Sequence, residues 1–153
     1  MNKKFGIVFP GQGSQRVGML ADIAPEYPII HKLYAEASTV LGYDLWRLVA
    51  DGPEELLNQT IHTQPALLVA SYALWQIITD RHQVPGILAG HSLGECTALL
   101  CAGAFDFADA LRLVAARAQY MQDAVPAGRG GLAAIVGLSD ELVSQICQEA
   151  QEH

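Results

Sequence analysis

The chain has 153 residues, a formal net charge of −7 and three cysteines. This length is enough for one compact domain, and the apolar content of 51%, against 16% charged residues, is high for such a domain. Two explanations stay open: a buried parallel sheet with continuously apolar strands, or a fragment that lacks the partner covering one face. Because no basic run accompanies the acidic charge, nucleic acid is not expected as a partner.

No segment is predicted to enter a membrane. The longest apolar stretch, residues 66–78, is too short for a span and contains Ser71 and Gln76. The apolar run after the N-terminal lysines is broken at Pro10, without the cleavage pattern of a signal peptide. The odd number of cysteines, without metal-ligand spacing, predicts reduced thiols in a core. We therefore expect a cytoplasmic protein without a membrane partner.

The first half of the chain alternates apolar runs with turn signals. Residues 5–9 form a short apolar run that Pro10 ends, as expected of a buried strand. Pro28 begins a helix that Gly42 ends, and the acidic residues within 51–55 begin another short helix. Residues 63–79 predict a helix that is apolar nearly all round, and such a helix is expected in the middle of a protein.

The second half continues the alternation. Residues 86–89 predict a second short strand, followed by a helix over residues 93–102 with Gly103 at its C-terminal cap. A helix over residues 106–124 comes next. A glycine-rich boundary at residues 128–131 precedes a predicted strand over residues 132–136 and a last helix capped by Ser139. Strands that alternate with helices predict an α/β fold with a parallel sheet.

The most informative turn lies between the second strand and its helix, where residues 90–95 read GHSLGE. A Gly-x-Ser-x-Gly pattern in this context presents a serine on a sharp, strained turn, where side chains at the glycine positions would collide with the neighbouring elements. Ser92 would stand at the positive end of the helix, with the backbone N–H of Leu93 directed at a developing oxyanion. An ordinary strand-to-helix turn is the structural alternative, and the pattern alone favours a hydrolase as readily as a transferase.

An arginine stands out on the helix over residues 106–124. Helical periodicity puts Arg117 among apolar residues that face the core. These are Ala110, Val114, Ala118 and Met121, opposite a polar stripe of Asp109, Arg112, Ala116, Gln119 and Asp123. A guanidinium on a core-facing stripe must find an anion or keep its head group in water. An internal salt bridge is the structural alternative to substrate binding.

Three separated motifs carry a family resemblance: FPGQGSQ at residues 9–15, TQPA at 63–66 and GHSLGE at 90–95. Together with LGYDLW at 41–46 and CAG at 101–103, they resemble the malonyl-CoA:acyl carrier protein transacylases of bacterial fatty acid synthesis, which belong to the acyltransferase-domain family. The resemblance implies an α/β-hydrolase-like parallel sheet core, with residues 1–127 as its N-terminal part. Residues 128–153 would then be the first strand and helix of a small ferredoxin-like subdomain.

The resemblance also implies a two-step transfer through an acylated serine. Malonyl-CoA is then a substrate, no cofactor is needed, and acyl carrier protein is the second partner. The implied roles are Ser92 as nucleophile, the backbone amides of Gln12 and Leu93 as oxyanion donors, Arg117 as the partner of the malonyl carboxylate, and His91 and Gln64 as further substrate-binding residues. Residues 9–15 lack the ending of a phosphate loop, so nucleotide binding is not expected.

A serine nucleophile needs a general base, almost always histidine. His31, His62, His82, His91 and His153 are the candidates. None is well placed by the sequence, and family members take their base from a histidine farther along than this chain extends. We therefore expect an N-terminal fragment that is inactive alone, with the missing C-terminal part of its own chain as a partner. A serine hydrolase, or a non-catalytic fragment that binds coenzyme A or the carrier, stays open as an alternative.

Overall fold

The computed structural model describes residues 5–81, 85–125 and 135–151. The described residues form an α/β fold with two strands and seven helices. In chain order these are β1 (Gly6–Phe9), α1 (Pro28–Leu41), α2 (Leu45–Asp51), α3 (Glu54–Leu57), α4 (Thr60–Arg81), β2 (Ile87–Gly90), α5 (Leu93–Cys101), α6 (Phe107–Ala124) and α7 (Asp140–Gln151). The alternation predicted from the sequence is confirmed, although α2 was not predicted.

Helix α4 is the central element, as its apolar sequence predicts. Residues 63–70 are all buried, and α1, α5 and α6 pack around them. The helix begins at Thr60, three residues before the predicted start, because the turn before it continues directly into the helix. The N–H groups of His62 and Thr63 both donate to the carbonyl of Gln59. Pro65 lies inside the helix. Because proline has no backbone N–H, one hydrogen bond to the preceding turn cannot form.

The helices before α4 close one side of the core. Gly42 ends α1 in the left-handed conformation, at φ 79°, as predicted for a C-terminal glycine. Asp44 caps α2 by accepting the N–H of Arg47 at 2.9 Å. The fully buried Tyr34 hydroxyl donates to the Ala66 carbonyl of α4 at 3.3 Å, and burial raises the pKa of Tyr34. One hydrogen bond thereby ties α1 to the central helix.

The sheet consists of β1 and β2 in parallel, with Gly6 opposite Ile87 and Phe9 opposite Gly90. One face packs on the helices through a cluster of Phe9, Trp75 and Ala98, with Ile7 and Leu88 at its margin. The opposite face is bare: Val8 is 77% exposed and Ile87 is 71% exposed. Parallel sheets are normally covered on both faces, so the exposure of these two apolar side chains is unusual.

The C-terminal part of the chain corrects two expectations. The strand predicted over residues 132–136 is wrong for Ile135 and Val136, which are not in a strand; residues 126–134 lie outside the described part. Helix α7 follows Ser139, whose hydroxyl accepts the N–H of Leu142 at 3.4 Å, as predicted for a cap. Cys147 is exposed rather than buried, because almost all of α7 is exposed. No helix in the described residues is long and apolar enough to cross a membrane.

The bare sheet face generates a prediction about self-association. Replacement of Val8 with threonine keeps a β-branched residue in β1 but lowers the apolar area that the strand offers to water. We expect Val8→Thr to reduce concentration-dependent association, measured by sedimentation velocity. Ile7→Thr, on the packed face of the same strand, is the control and should lower thermal stability instead. Unchanged association of Val8→Thr would show that this face is not an association surface.

Candidate active site

Ser92 lies on a strained turn between β2 and α5. Its φ of 55° and ψ of −108° are rare for a residue with a side chain, and such a conformation costs on the order of 1 to 3 kcal/mol. The glycines on either side have the role expected from the sequence. A Cβ on Gly90 would overlap the backbone of Gly94, and a Cβ on Gly94 would overlap the carbonyl of Phe9 at the end of β1. Both glycines are therefore required for the backbones to come so close.

The turn presents Ser92 at the N-terminus of α5. Ser92 is exposed, whereas Leu93 behind it is only 1% exposed and anchors the helix in the core. Leu93 is the first residue of α5, so no carbonyl within the helix can accept its N–H. The helix dipole adds partial positive charge at the same end. Negative charge that develops beside Ser92 would be stabilised there.

Arg117 reaches this serine from α6. One terminal nitrogen of its guanidinium donates to the Ser92 Oγ at 3.0 Å. The other donates to the Gln64 Oε1 of α4 at 2.5 Å. Arg117 forms no ion pair with any carboxylate of the described residues, so the internal salt bridge considered from the sequence is not found there. The Arg117 guanidinium therefore contacts Ser92 and is held in place by the uncharged amide of Gln64.

Gln64 is buried, with 1% of its surface exposed, although its side chain is polar. It lies one turn inside α4, so it does not cap the helix. Its Nε2 donates to the Sδ of Met121 at 3.3 Å, while its Oε1 accepts from Arg117. Met121 is one turn beyond Arg117 on α6, and the two side chains hold the amide of Gln64 between them.

The loop after β1 packs directly against the serine turn. A Cβ on Gly11 would come within 2.9 Å of the His91 carbonyl, so this glycine also permits a close approach. The side chain of Gln12 donates to the Thr60 hydroxyl at 3.0 Å, and that of Gln15 donates to Asn58 at 2.7 Å. These two hydrogen bonds hold the loop against the end of α3 and the start of α4. The oxyanion role of the Gln12 N–H stays a prediction.

The described histidines form no hydrogen bond to Ser92. His91 directly precedes Ser92 in the turn, with its ring beside Gly11, and His31 packs edge-on against Trp46 at 4.7 Å between ring centroids. His62 lies inside α4, and its ring contacts that of Tyr43 at 5.0 Å. Burial lowers the pKa of His62, which favours the neutral ring. His82 and His153 lie outside the described residues.

The structure brings together three of the residues singled out from the sequence: Ser92, Arg117 and Gln64. Sequence reasoning missed Met121 as a member of this group. Its position four residues after Arg117, on the same face of α6, was the available signal. The described residues contain no group of side chains that could hold a metal ion. The arrangement places a serine hydroxyl beside a guanidinium, a group whose donors suit a carboxylate.

The close approach at Gly94 generates a stability prediction. Gly94→Ala should lower the free energy of unfolding by roughly 3 kcal/mol or more, because the new methyl group must displace the end of β1. Urea unfolding followed by circular dichroism measures the loss. Gly86→Ala is the matched control, since an added Cβ there meets nothing within 4 Å. Equal stability of the two variants would contradict the close approach.

Comparison with known proteins places the chain in a family. A model of the acyl transferase domain matches residues 7–150. The malonyl CoA-acyl carrier protein transacylase of Escherichia coli K12 is 57% identical over 150 residues, which are 97% of this chain and 48% of that protein. The chain thus spans about half the length of such relatives.

Solved structures agree with this match. An acyl carrier protein S-malonyltransferase from Vibrio cholerae has a TM-score of 0.86 and 58% sequence identity, over 97% of this chain and 49% of its own. A malonyl-transacylase in complex with a type II PKS acyl-carrier protein has a TM-score of 0.89 and 53% identity, over 96% of this chain and 48% of its own. The serine turn, the arginine beside it and these matches agree: the chain belongs to the acyl transferase domain family.

Proposed function

We propose that this chain supplies the nucleophile and the acyl-selecting half of a malonyl-CoA:acyl carrier protein transacylase. The single observation that carries the proposal is the contact between the Arg117 guanidinium and the Ser92 Oγ at 3.0 Å. A cation at this distance from a nucleophilic oxygen can bind the free carboxylate of a malonyl group whose thioester carbon lies at the serine. The names of the relatives, each about half covered by this chain, support the same activity.

The proposed transfer has two steps. Ser92 Oγ attacks the thioester carbon of malonyl-CoA, its proton passes to a general base, and the tetrahedral intermediate expels the coenzyme A thiolate. The phosphopantetheine thiol of the carrier then attacks the seryl ester and releases Ser92. The backbone N–H groups of Leu93 and Gln12 are proposed to stabilise the oxyanion of each intermediate, and each such donor lowers the barrier by about 3 kcal/mol.

Arg117 is proposed to select the acyl group. A guanidinium binds a carboxylate with two parallel hydrogen bonds, a geometry that an ammonium group cannot reproduce. Acetyl-CoA carries no such carboxylate and would leave the half-buried cation without an anionic partner. His91 is proposed to border the same pocket, because its ring lies beside the loop that holds Gln12.

The general base is proposed to come from a second polypeptide segment. The bare sheet face at Val8 and Ile87 supports this, since a parallel sheet requires cover on both faces and the relatives are about twice as long. In this proposal residues 1–127 belong to an α/β-hydrolase-like core, and residues 128–153 begin a ferredoxin-like subdomain. The C-terminal part would complete the sheet and bring a histidine to Ser92.

Acyl carrier protein is the proposed acceptor, and the cytoplasm is the proposed location. The complex of a malonyl-transacylase with a type II PKS acyl-carrier protein supports the choice of acceptor, because that transacylase is 53% identical to this chain. Carrier proteins are typically acidic, and this chain has a net charge of −7. Docking therefore requires a local basic surface, on this chain or on the segment that completes it.

A chimera tests the proposed chemistry. The chain replaces the matching half of the Escherichia coli relative, and the product is incubated with malonyl-CoA. We expect a malonyl adduct on Ser92 by intact-mass spectrometry and peptide mapping, and its transfer to holo acyl carrier protein. Ser92→Ala should abolish the adduct. Rapid release of free malonate without carrier would identify a hydrolase instead, and a folded chimera without an adduct would contradict the proposal.

Acyl selectivity is tested on α6. Arg117→Ala in the same chimera should lower the preference for malonyl-CoA over acetyl-CoA by about 1.5 to 3 kcal/mol, roughly 10- to 150-fold, because a charge-assisted pair is lost. The ratio of the two kcat/KM values measures this preference. Arg112→Ala is the matched control, since Arg112 is exposed and paired with Asp109 at 2.7 Å. An unchanged ratio in Arg117→Ala would reject the role of this arginine.

A further inference from the structure

The amide of Gln64 is a buried polar group that takes no part in either step of the proposed acyl transfer. Only 1% of Gln64 is exposed, so both ends of its amide must find partners inside the protein. The two partners lie one turn apart on α6: Arg117 at the oxygen and Met121 at the nitrogen. A buried polar side chain between these two groups requires an explanation beyond packing.

The orientation of the amide follows from the chemistry of its partners. A guanidinium has only donors, so the end of Gln64 that faces Arg117 must be the oxygen. The NH₂ end then faces Met121, whose thioether sulfur is a weak acceptor and has no donor. An apolar side chain in place of the sulfur would leave the NH₂ end without this partner. Met121 therefore favours the orientation in which Gln64 accepts from Arg117.

The neutrality of Gln64 is as important as its position. Arginines in protein interiors are usually held by carboxylates, which also neutralise them. Here the acceptor at 2.5 Å carries no charge, and no carboxylate of the described residues pairs with Arg117. Gln64 and the Ser92 hydroxyl use two of the five N–H donors of the guanidinium. The arginine is thus oriented, but its positive charge has no anionic partner among the described residues.

We infer that Gln64, with its amide oriented by Met121, is the positioning residue that sets acyl selectivity, because it holds Arg117 while leaving its charge for a substrate carboxylate. This inference rests on the proposed function and adds the residue that positions Arg117 for acyl selection. It explains why a glutamine is used where a glutamate would bind arginine more strongly. A glutamate would compete with the malonyl carboxylate for the same cation.

Binding to the full chain tests the inference without the general base. Isothermal titration calorimetry gives the Kd values for malonyl-CoA and acetyl-CoA, and their ratio measures selectivity. We expect Gln64→Glu, which keeps the shape of the side chain and adds a charge, to lower the preference for malonyl-CoA about 10-fold or more. Gln76→Glu is the matched control: it makes the same change on α4 in a groove with Tyr27 and Arg81, and should keep the ratio.

Met121→Leu is the second variant, and it covers the case in which Gln64→Glu fails to fold. Leucine conserves the volume of methionine but has no acceptor, so the amide loses its orienting partner. We expect its preference for malonyl-CoA to fall about fivefold, with the thermal midpoint nearly unchanged. A merely structural Gln64 would lower the midpoint and leave the selectivity ratio as it was, and that result would overturn the inference.

The outcomes separate the inference from the proposed function. A wild-type chain that binds both thioesters equally would reject the proposed selectivity at Arg117, and the role of Gln64 with it. A wild-type preference for malonyl-CoA that persists in folded Gln64→Glu or in Met121→Leu would reject the role of Gln64 alone. Loss of the preference in these variants, but not in Gln76→Glu, would support both.

Discussion

The site depends on one constraint, the approach of three backbone segments with no side chain between them. Gly90 and Gly94 lie against each other, and Gly94 also lies against the carbonyl of Phe9 at the end of β1. Because these contacts fix the turn, Ser92 stays at φ 55° and its hydroxyl stands clear of the sheet. Packing of the surrounding core, chiefly around Leu93 and α4, offsets the strain in that residue.

The charged group beside the serine turn comes from helix α6, which lies later in the chain. Helix α6 packs on α4 and has Ala110, Val114 and Ala118 among its buried residues, and this packing brings Arg117 to the turn. A guanidinium kept near a serine by apolar packing is costly unless its donors are used. Gln64 and Ser92 use two of them, so the Arg117 cation is oriented, and no carboxylate in the described part of the chain neutralises it.

Most of the secondary structure could be predicted because each element carries its own local signal. Gly42 ends α1, Ser139 caps α7, and the apolar run of α4 marks a central helix. The group around Arg117 could be predicted only in part. Its core-facing position follows from helical periodicity, but its hydrogen bond to Gln64 joins residues 53 positions apart and depends on how α4 crosses α6. The site roles of Gln12 and His91 come from resemblance and remain proposals.

The lack of a general base in the proposed mechanism and the exposed sheet face would have the same physical origin. In a parallel α/β sheet, ligands bind at the carboxyl ends of the strands, where β1 leads into the loop around Gln12 and β2 leads into the turn at Ser92. Further parallel strands would bring other loops to the same end of the sheet, and the helices that connect them would cover Val8 and Ile87. In the proposed mechanism a general base must lie within hydrogen-bond reach of the Ser92 Oγ, so a segment that completed the sheet would also be placed to complete the chemistry. Completion of the sheet and gain of catalysis should therefore occur together.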